Sequence, residues 1–166
     1  MDKPSPSGAS ESNTAGALVR PPALFLATFL AGLGLDYVLP LPVTDSPLAA
    51  TLGATLGLAL CLIGLTVFVL GIRNFMRADT PVQGTRPTVA LVVTGIHGWS
   101  RNPIYVGMFL IYLGLGIAVL SPWVLALLLP LAAVMHYGVV LREEVYLERL
   151  FGEAYVDYRA KVPRWL

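Results

Sequence analysis

The chain has 166 residues, 56% of them hydrophobic and only 13% charged, with a formal net charge of +1 and a mean hydropathy of +0.73. Soluble domains carry about 25% charged residues, so this composition excludes an ordinary soluble enzyme or binding module. The near-neutral balance, with no basic stripe, points to no nucleic-acid partner. Residues 1–16, rich in Ser, Pro and Gly, read as a disordered tail and not as a secretory signal.

Four apolar stretches follow. The first runs from about Pro21 to Leu39 and stops at the Pro40-Leu41-Pro42 break; at 1.5 Å per residue it covers roughly 28 Å, close to the hydrocarbon thickness. The second, Leu48 to Ile72, is long enough to tilt. Ile104 to Leu120 is short, and Ser121-Pro122-Trp123 turns it into the fourth, Val124 to Leu141, which Pro130 should kink. Backbone polar groups in lipid must be satisfied internally. The expected fold is therefore all-α, about four transmembrane helices with a C-terminal interfacial helix. It divides into the tail, two N-terminal spans (17–72) and a core of connection, hairpin and C-terminal segment (73–166).

Charge sets the topology. Of the eleven basic residues, Lys3 and Arg20 precede the first span, four lie in the 73–101 connection and five follow the fourth span. With four spans all eleven share one side, which the positive-inside rule makes cytoplasmic. Both termini should then be cytoplasmic, in the inner (plasma) membrane of a bacterium.

Gly53, Gly57, Gly64 and Gly71 form a small-residue stripe on the second span, expected to pack within a monomer, with dimerisation as the alternative. Gly32-Leu33-Gly34 and Gly114-Leu115-Gly116 follow no β-strand and read as packing glycines, not nucleotide loops. Cys61 in its apolar run reads as a core residue, and Asp36 as interfacial. There is no Cys/His spacing for a metal.

Chemistry concentrates in two segments. In the first, a Gly-punctuated turn through His97 leads to Arg101-Asn102-Pro103. Pro103 favours an extended Asn102 and can open a helix, leaving Asn102 and Tyr105 near an N-terminus that welcomes a carboxylate. Arg101 would add a clamp or, alternatively, reach for headgroups. In the second segment His136 and Glu143 are seven apart, as are Tyr137 and Glu144, so each pair should share a helix face. Glu143 and Glu144 diverge by about 100°, so one of them is expected to face a given ligand. Pairing with Arg142 and Arg149 at a solvated helix end is the competing reading. From Tyr146 to Leu166, Leu147, Leu150, Phe151 and Tyr155 at helical spacing suggest an amphipathic interfacial helix.

These segments resemble a known family. Leu91-Val92-Val93-Thr94-Gly95, Arg101-Asn102-Pro103-Ile104-Tyr105-Val106-Gly107, Glu143-Glu144, Phe151-Gly152-Glu153-Ala154-Tyr155 and Val162-Pro163-Arg164 are similar to the isoprenylcysteine carboxyl methyltransferase and phospholipid methyltransferase superfamily, in order over 73–166. The resemblance implies an integral-membrane methyltransferase using S-adenosylmethionine, held in a cytoplasm-facing pocket, with a lipophilic or small acceptor arriving from the bilayer. Carried over by position, Leu91, Val92, His97, Arg101, Asn102, Pro103, Ile104, Tyr105, Glu143 and Glu144 would line the cofactor. Two departures stand out. Eukaryotic members have histidine at the Asn102 position, and Val139 stands where they carry a substrate-binding arginine, which leaves Arg142 as the nearest residue to position substrate. An isoprenylcysteine-carboxylate-like or thiol acceptor is the main expectation. A phospholipid N-methyltransferase and a non-catalytic four-helix scaffold are the alternatives.

Overall fold

The computed structural model describes residues 20–43, 46–79 and 89–166; the expected N-terminal tail lies outside them. Their regular structure is helical. Helix α1 (Pro21–Val38) and α2 (Pro47–Arg77) form the N-terminal pair. A short 3₁₀ turn (Gly95–Gly98) leads to α3 (Pro103–Ala118). Then α4 (Pro122–Ala133) passes without a break through a π-helical segment (Val134–Val140) into α5 (Leu141–Phe151), and α6 (Glu153–Lys161) follows. Proline opens each of the first four α-helices, where its missing N–H leaves nothing unsatisfied.

Three helices are long and apolar enough to cross a membrane: Pro21–Val38, Pro47–Arg77 and the continuous Pro122–Phe151. At 16 residues α3 is shorter, about 24 Å, yet it runs between the same two ends of the bundle. It starts beside Gly71, where a Cβ would meet Ile104 at 2.6 Å. It finishes at Ser121, whose hydroxyl donates to Asp36 at the end of α1 and caps α4 by accepting from Val124 N–H. There Trp123 Nε1 also donates to the Leu39 carbonyl at 2.7 Å. Asp36 thus ties two hairpins together at the end of the bundle far from the site.

The glycine stripe packs inside the chain. A Cβ on Gly57 would lie 2.5 Å from Gly114 O, and one on Gly64 2.8 Å from Gly107 O. Pairing 57 with 114 and 64 with 107 makes α2 and α3 antiparallel, backbone against backbone, in the close approach that small residues permit. Gly32 and Gly116 similarly receive Val124 and Leu125 of α4, so the two Gly-Leu-Gly segments serve packing. Phe25, Tyr112, Val124, Leu131 and Met135 fill the core between α1, α3 and α4.

Two expectations are corrected. Beyond Tyr146 there is no single interfacial helix: α5 continues the last crossing, Gly152 breaks it at φ +54°, and α6 turns back. Leu147 and Tyr155 are buried, whereas Leu150 is exposed. Nor do Tyr137 and Glu144 share a face across the π segment, where the i→i+5 pattern widens the helix: Tyr137 is 69% exposed while Glu144 is 7% exposed.

Candidate functional site

The site forms where α2 ends, α3 begins and the last crossing emerges as α5. After the wide π turns the inward positions are Met135, Val139, Val140, Glu143, Glu144 and Leu147. Both carboxylates sit on this inner face. Both are buried, but they differ in their partners: Glu143 keeps an unpartnered oxygen, and Glu144 is engaged by arginines. Neither glutamate pairs with Arg142 or Arg149.

Glu143, 3% exposed, accepts a hydrogen bond from Tyr105 Oη at Oε1, 2.8 Å away. Its Oε2 is buried with no partner. Glu144 receives two arginines. Arg101 Nη1 lies 3.1 Å from Oε1, and Arg164 is bidentate through Nε and Nη2 at 2.7 and 2.9 Å. That fork geometry is the strongest form of the pair. The hydrogen bonds from Arg164 to Glu144 are also the main reason its guanidinium is held above the usual range. Arg101 Nη1 further contacts Tyr155 Oη at 3.3 Å, while its Nε is buried and unsatisfied.

A C-terminal strap closes this cluster. Arg101 N–H donates to the Pro163 carbonyl at 3.0 Å, and Asn102 Nδ2 donates to that of Arg164 at 3.0 Å. Asn102 takes φ −128° and ψ 49°, short of the extended conformation expected before proline, and its side chain does not cap α3. Beyond the strap, Trp165 packs on Phe109 of α3 and on His136.

On the other wall Thr94, Gly95 and His97 pass beneath α2. His97 is 3% exposed, stacks edge-on with Phe75, and burial lowers its pKa to about 4. Tyr158 Oη donates to the His97 carbonyl at 2.6 Å. Burial is also the largest cause of the raised pKa values of Tyr155 and Tyr158.

All ten residues expected at the cofactor line two small adjoining cavities. Leu91, Val92, Glu143 and Glu144 line the first, Pro103, Ile104 and Tyr105 the second, and His97, Arg101 and Asn102 face both. Arg142 is exposed on the outer side of α5 and lines neither, and His136 also lies outside them. Phe75, Leu147, Tyr155 and Tyr158 complete the walls. Phe75 and Leu147 carry no signal of their own as apolar residues of α2 and α5, and Tyr155 and Tyr158 reach the site only because α6 folds back.

The model of the phospholipid methyltransferase family matches residues 52–154. The protein-S-isoprenylcysteine O-methyltransferase of Rattus norvegicus is 34% identical over 115 residues, 64% of this chain and 36% of the relative. That of Saccharomyces cerevisiae is 27% identical over 117 residues, 69% of this chain and 49% of the relative. The chain thus spans about a third to a half of the length of these curated relatives. A solved structure of the eukaryotic intramembrane Ras methyltransferase ICMT aligns over 90% of this chain and 68% of that one, at 21% identity and a TM-score of 0.46. With the family model covering more than half of its residues, the chain belongs to the phospholipid methyltransferase family.

Proposed function

We propose that this protein is an integral-membrane methyltransferase that takes its methyl group from S-adenosylmethionine and delivers it to a lipophilic acceptor of the isoprenylcysteine-carboxylate or thiol type. Family membership supports the reaction class. The observation that carries the site is the orphaned Oε2 of Glu143, a buried carboxylate oxygen with no donor. Such a group costs free energy unless a partner reaches it. A ribose hydroxyl or an ammonium group is that kind of partner, and the zwitterionic, diol-bearing cofactor offers both. Arg101 Nε, equally orphaned, suits an acceptor atom of the same ligand.

When bound, S-adenosylmethionine supplies a methyl on a cationic sulfonium. The chain's own residues then have positioning and water exclusion to perform, because methyl transfer needs these and an unprotonated acceptor more than it needs a proton donor. Glu143 would hold the hydroxyls or ammonium, with Tyr105 fixing its other oxygen. Glu144 would orient Arg101. Leu91, Val92 and Leu147 would keep one side of the ligand dry. The acceptor would come from the bilayer, and the clustering of basic residues on one side supports a cytoplasmic cleft and cytoplasmic termini. The protein-S-isoprenylcysteine O-methyltransferases among the relatives favour a carboxylate acceptor. Against their arginine, Val139 here is buried in the core, which removes one charge that would fix such a carboxylate.

Calorimetric titration of S-adenosylmethionine into the detergent-purified protein tests this reading. Saturable binding, weakened on the order of tenfold or more by Glu143→Ala (one or two lost hydrogen bonds to a charged group) is expected. Full affinity in that variant would remove Glu143 from the site. Transfer of labelled methyl to a prenylcysteine analogue, a thiol or phosphatidylethanolamine then separates the acceptor classes.

A further inference from the structure

The chemistry of one site residue is fixed from outside the cleft. Asn74, near the end of α2, places Nδ2 at 2.7 Å from the Thr94 carbonyl and 3.3 Å from His97 Nδ1. A carbonyl oxygen only accepts, so the atom facing Thr94 is the amide nitrogen and not its oxygen. The second N–H of that nitrogen is directed to the imidazole, and Nδ1 must accept it. A neutral imidazole that accepts at Nδ1 carries its hydrogen on Nε2.

The surroundings are built for this arrangement. Gly95 adopts φ +57°, and a Cβ there would stand 2.6 Å from Asn74 Nδ2, so glycine is needed both for the turn and for the approach of the amide. Phe75 packs edge-on against the imidazole at 5.0 Å. Tyr158 anchors the His97 carbonyl from α6. His97 itself borders both cavities.

We propose that Asn74 is a positioning residue that holds His97 as an Nε2–H donor, so that the cleft takes a ligand presenting an acceptor atom to it: a ring nitrogen, or a carbonyl or carboxylate oxygen. The identity of that ligand rests on the cofactor reading above; the tautomer does not. Asn74→Asp keeps the shape but replaces the donor with an acceptor, which draws the hydrogen to Nδ1 and leaves Nε2 unable to donate. Asn74→Ala releases the ring to either tautomer. His97→Gln keeps an N–H donor at similar reach.

The test is nitrogen NMR of the full-length protein, ¹⁵N-labelled at histidine, in detergent at pH 7, with His136→Asn used to assign the two histidines. The expected result is an Nε2–H tautomer for His97 in the wild type, the Nδ1–H tautomer in Asn74→Asp and a mixture in Asn74→Ala. An Nδ1–H or mixed signal in the wild type, or an Nε2–H signal unmoved in both Asn74 variants, would overturn the proposal. Affinity for S-adenosylmethionine should fall about tenfold in Asn74→Asp, the effect of one ligand hydrogen bond, while His97→Gln stays within about threefold of the wild type. A loss in His97→Gln as large as in Asn74→Asp would overturn the donor role. Expected tautomers without any wild-type affinity would sink the cofactor reading and leave the Asn74–His97 lock standing.

Discussion

Tyr105→Phe removes a single oxygen and leaves the aromatic ring in the core. That oxygen supplies the hydrogen bond on Glu143 Oε1, and Oε2 already lacks a partner, so the substitution leaves a buried carboxyl with no donor at either oxygen. A hydrogen bond to a charged group contributes about 1.5–3 kcal/mol, and stranding the acceptor costs toward the upper end. The expected loss is therefore about 2–3 kcal/mol. For a chain of this size each kcal/mol moves the unfolding midpoint by roughly 2–4 °C, which places Tyr105→Phe roughly 5–10 °C below the wild type in a fixed detergent. Glu143→Leu in the Tyr105→Phe background removes the stranded carboxyl as well. This double variant should melt above Tyr105→Phe, because two apolar partners cost less than one unsatisfied polar group. If Tyr105→Phe melts with the wild type, or if the two substitutions simply add, the hydrogen bond contributes nothing and the assignment of Glu143 as an unsatisfied buried group is wrong.

Gly64→Ala should separate α2 from α3 and cost about 1–3 kcal/mol by overpacking, since its Cβ would meet Gly107 O and Ile111 N at 2.8 Å. The control Gly34→Ala, inside α1 with nothing within 4 Å, should hold or slightly raise the melting midpoint, because alanine is the better helix former. His97 should make stability fall in acid. Its folded pKa of about 4 lies below the unfolded value of about 6.5, so the unfolded chain takes up the proton first and stability drops as pH falls from 6.5 toward 4, by up to about 1.4 kcal/mol per pH unit. Melting curves at pH 7.5 and 5 should show a smaller acid loss in His97→Gln than in the wild type; equal losses would contradict a neutral buried imidazole. Arg164→Ala deletes the bidentate contact on Glu144 and leaves Arg101 as its remaining arginine. As the Arg164 side chain is 33% exposed, a loss of about 1–2 kcal/mol is expected, read as a lower melting midpoint. A larger fall in Glu144→Ala, which strands Arg101 as well, would agree with the cluster.

Much of this was legible in the sequence because lipid allows so few solutions. Apolar runs of the right length must be helices, and Pro21, Pro47, Pro103 and Pro122 mark their starts. The charged residues too polar for hydrocarbon reveal which end carries the chemistry. The ordered motifs at 91–107 and 143–144 contain ten of the residues that line the two cavities, but not Phe75, Leu147, Tyr155 or Tyr158. What stayed hidden depends on winding and on chain reversal. A helical wheel assumes a constant 100° per residue, and the π segment breaks that assumption between Tyr137 and Glu144, so the outward Tyr137 could not be read. Arg164 lies twenty residues from Glu144, and only the break at Gly152 and the return of α6 bring them together. Asn74 was hidden for another reason: at the end of a long apolar helix an asparagine looks like a helix end meeting solvent.

The last crossing departs from α geometry just before its two glutamates. Pro130 has no N–H and so breaks the i→i−4 ladder inside α4; wide turns following a proline are one way a helix absorbs the missing bond. Downstream, Val139 and Val140, then Glu143 and Glu144, lie as adjacent pairs on the inner face, and Val140, Glu143, Glu144 and Leu147 form the ordinary i, i+3, i+4, i+7 stripe of a helix. Two carboxylates then receive different partners. Tyr105 from α3 satisfies half of Glu143 and leaves an oxygen open, whereas Arg101 and Arg164 fully engage Glu144 and tie the C-terminal strap to the start of α3. One glutamate keeps an oxygen open, while the other holds the walls together.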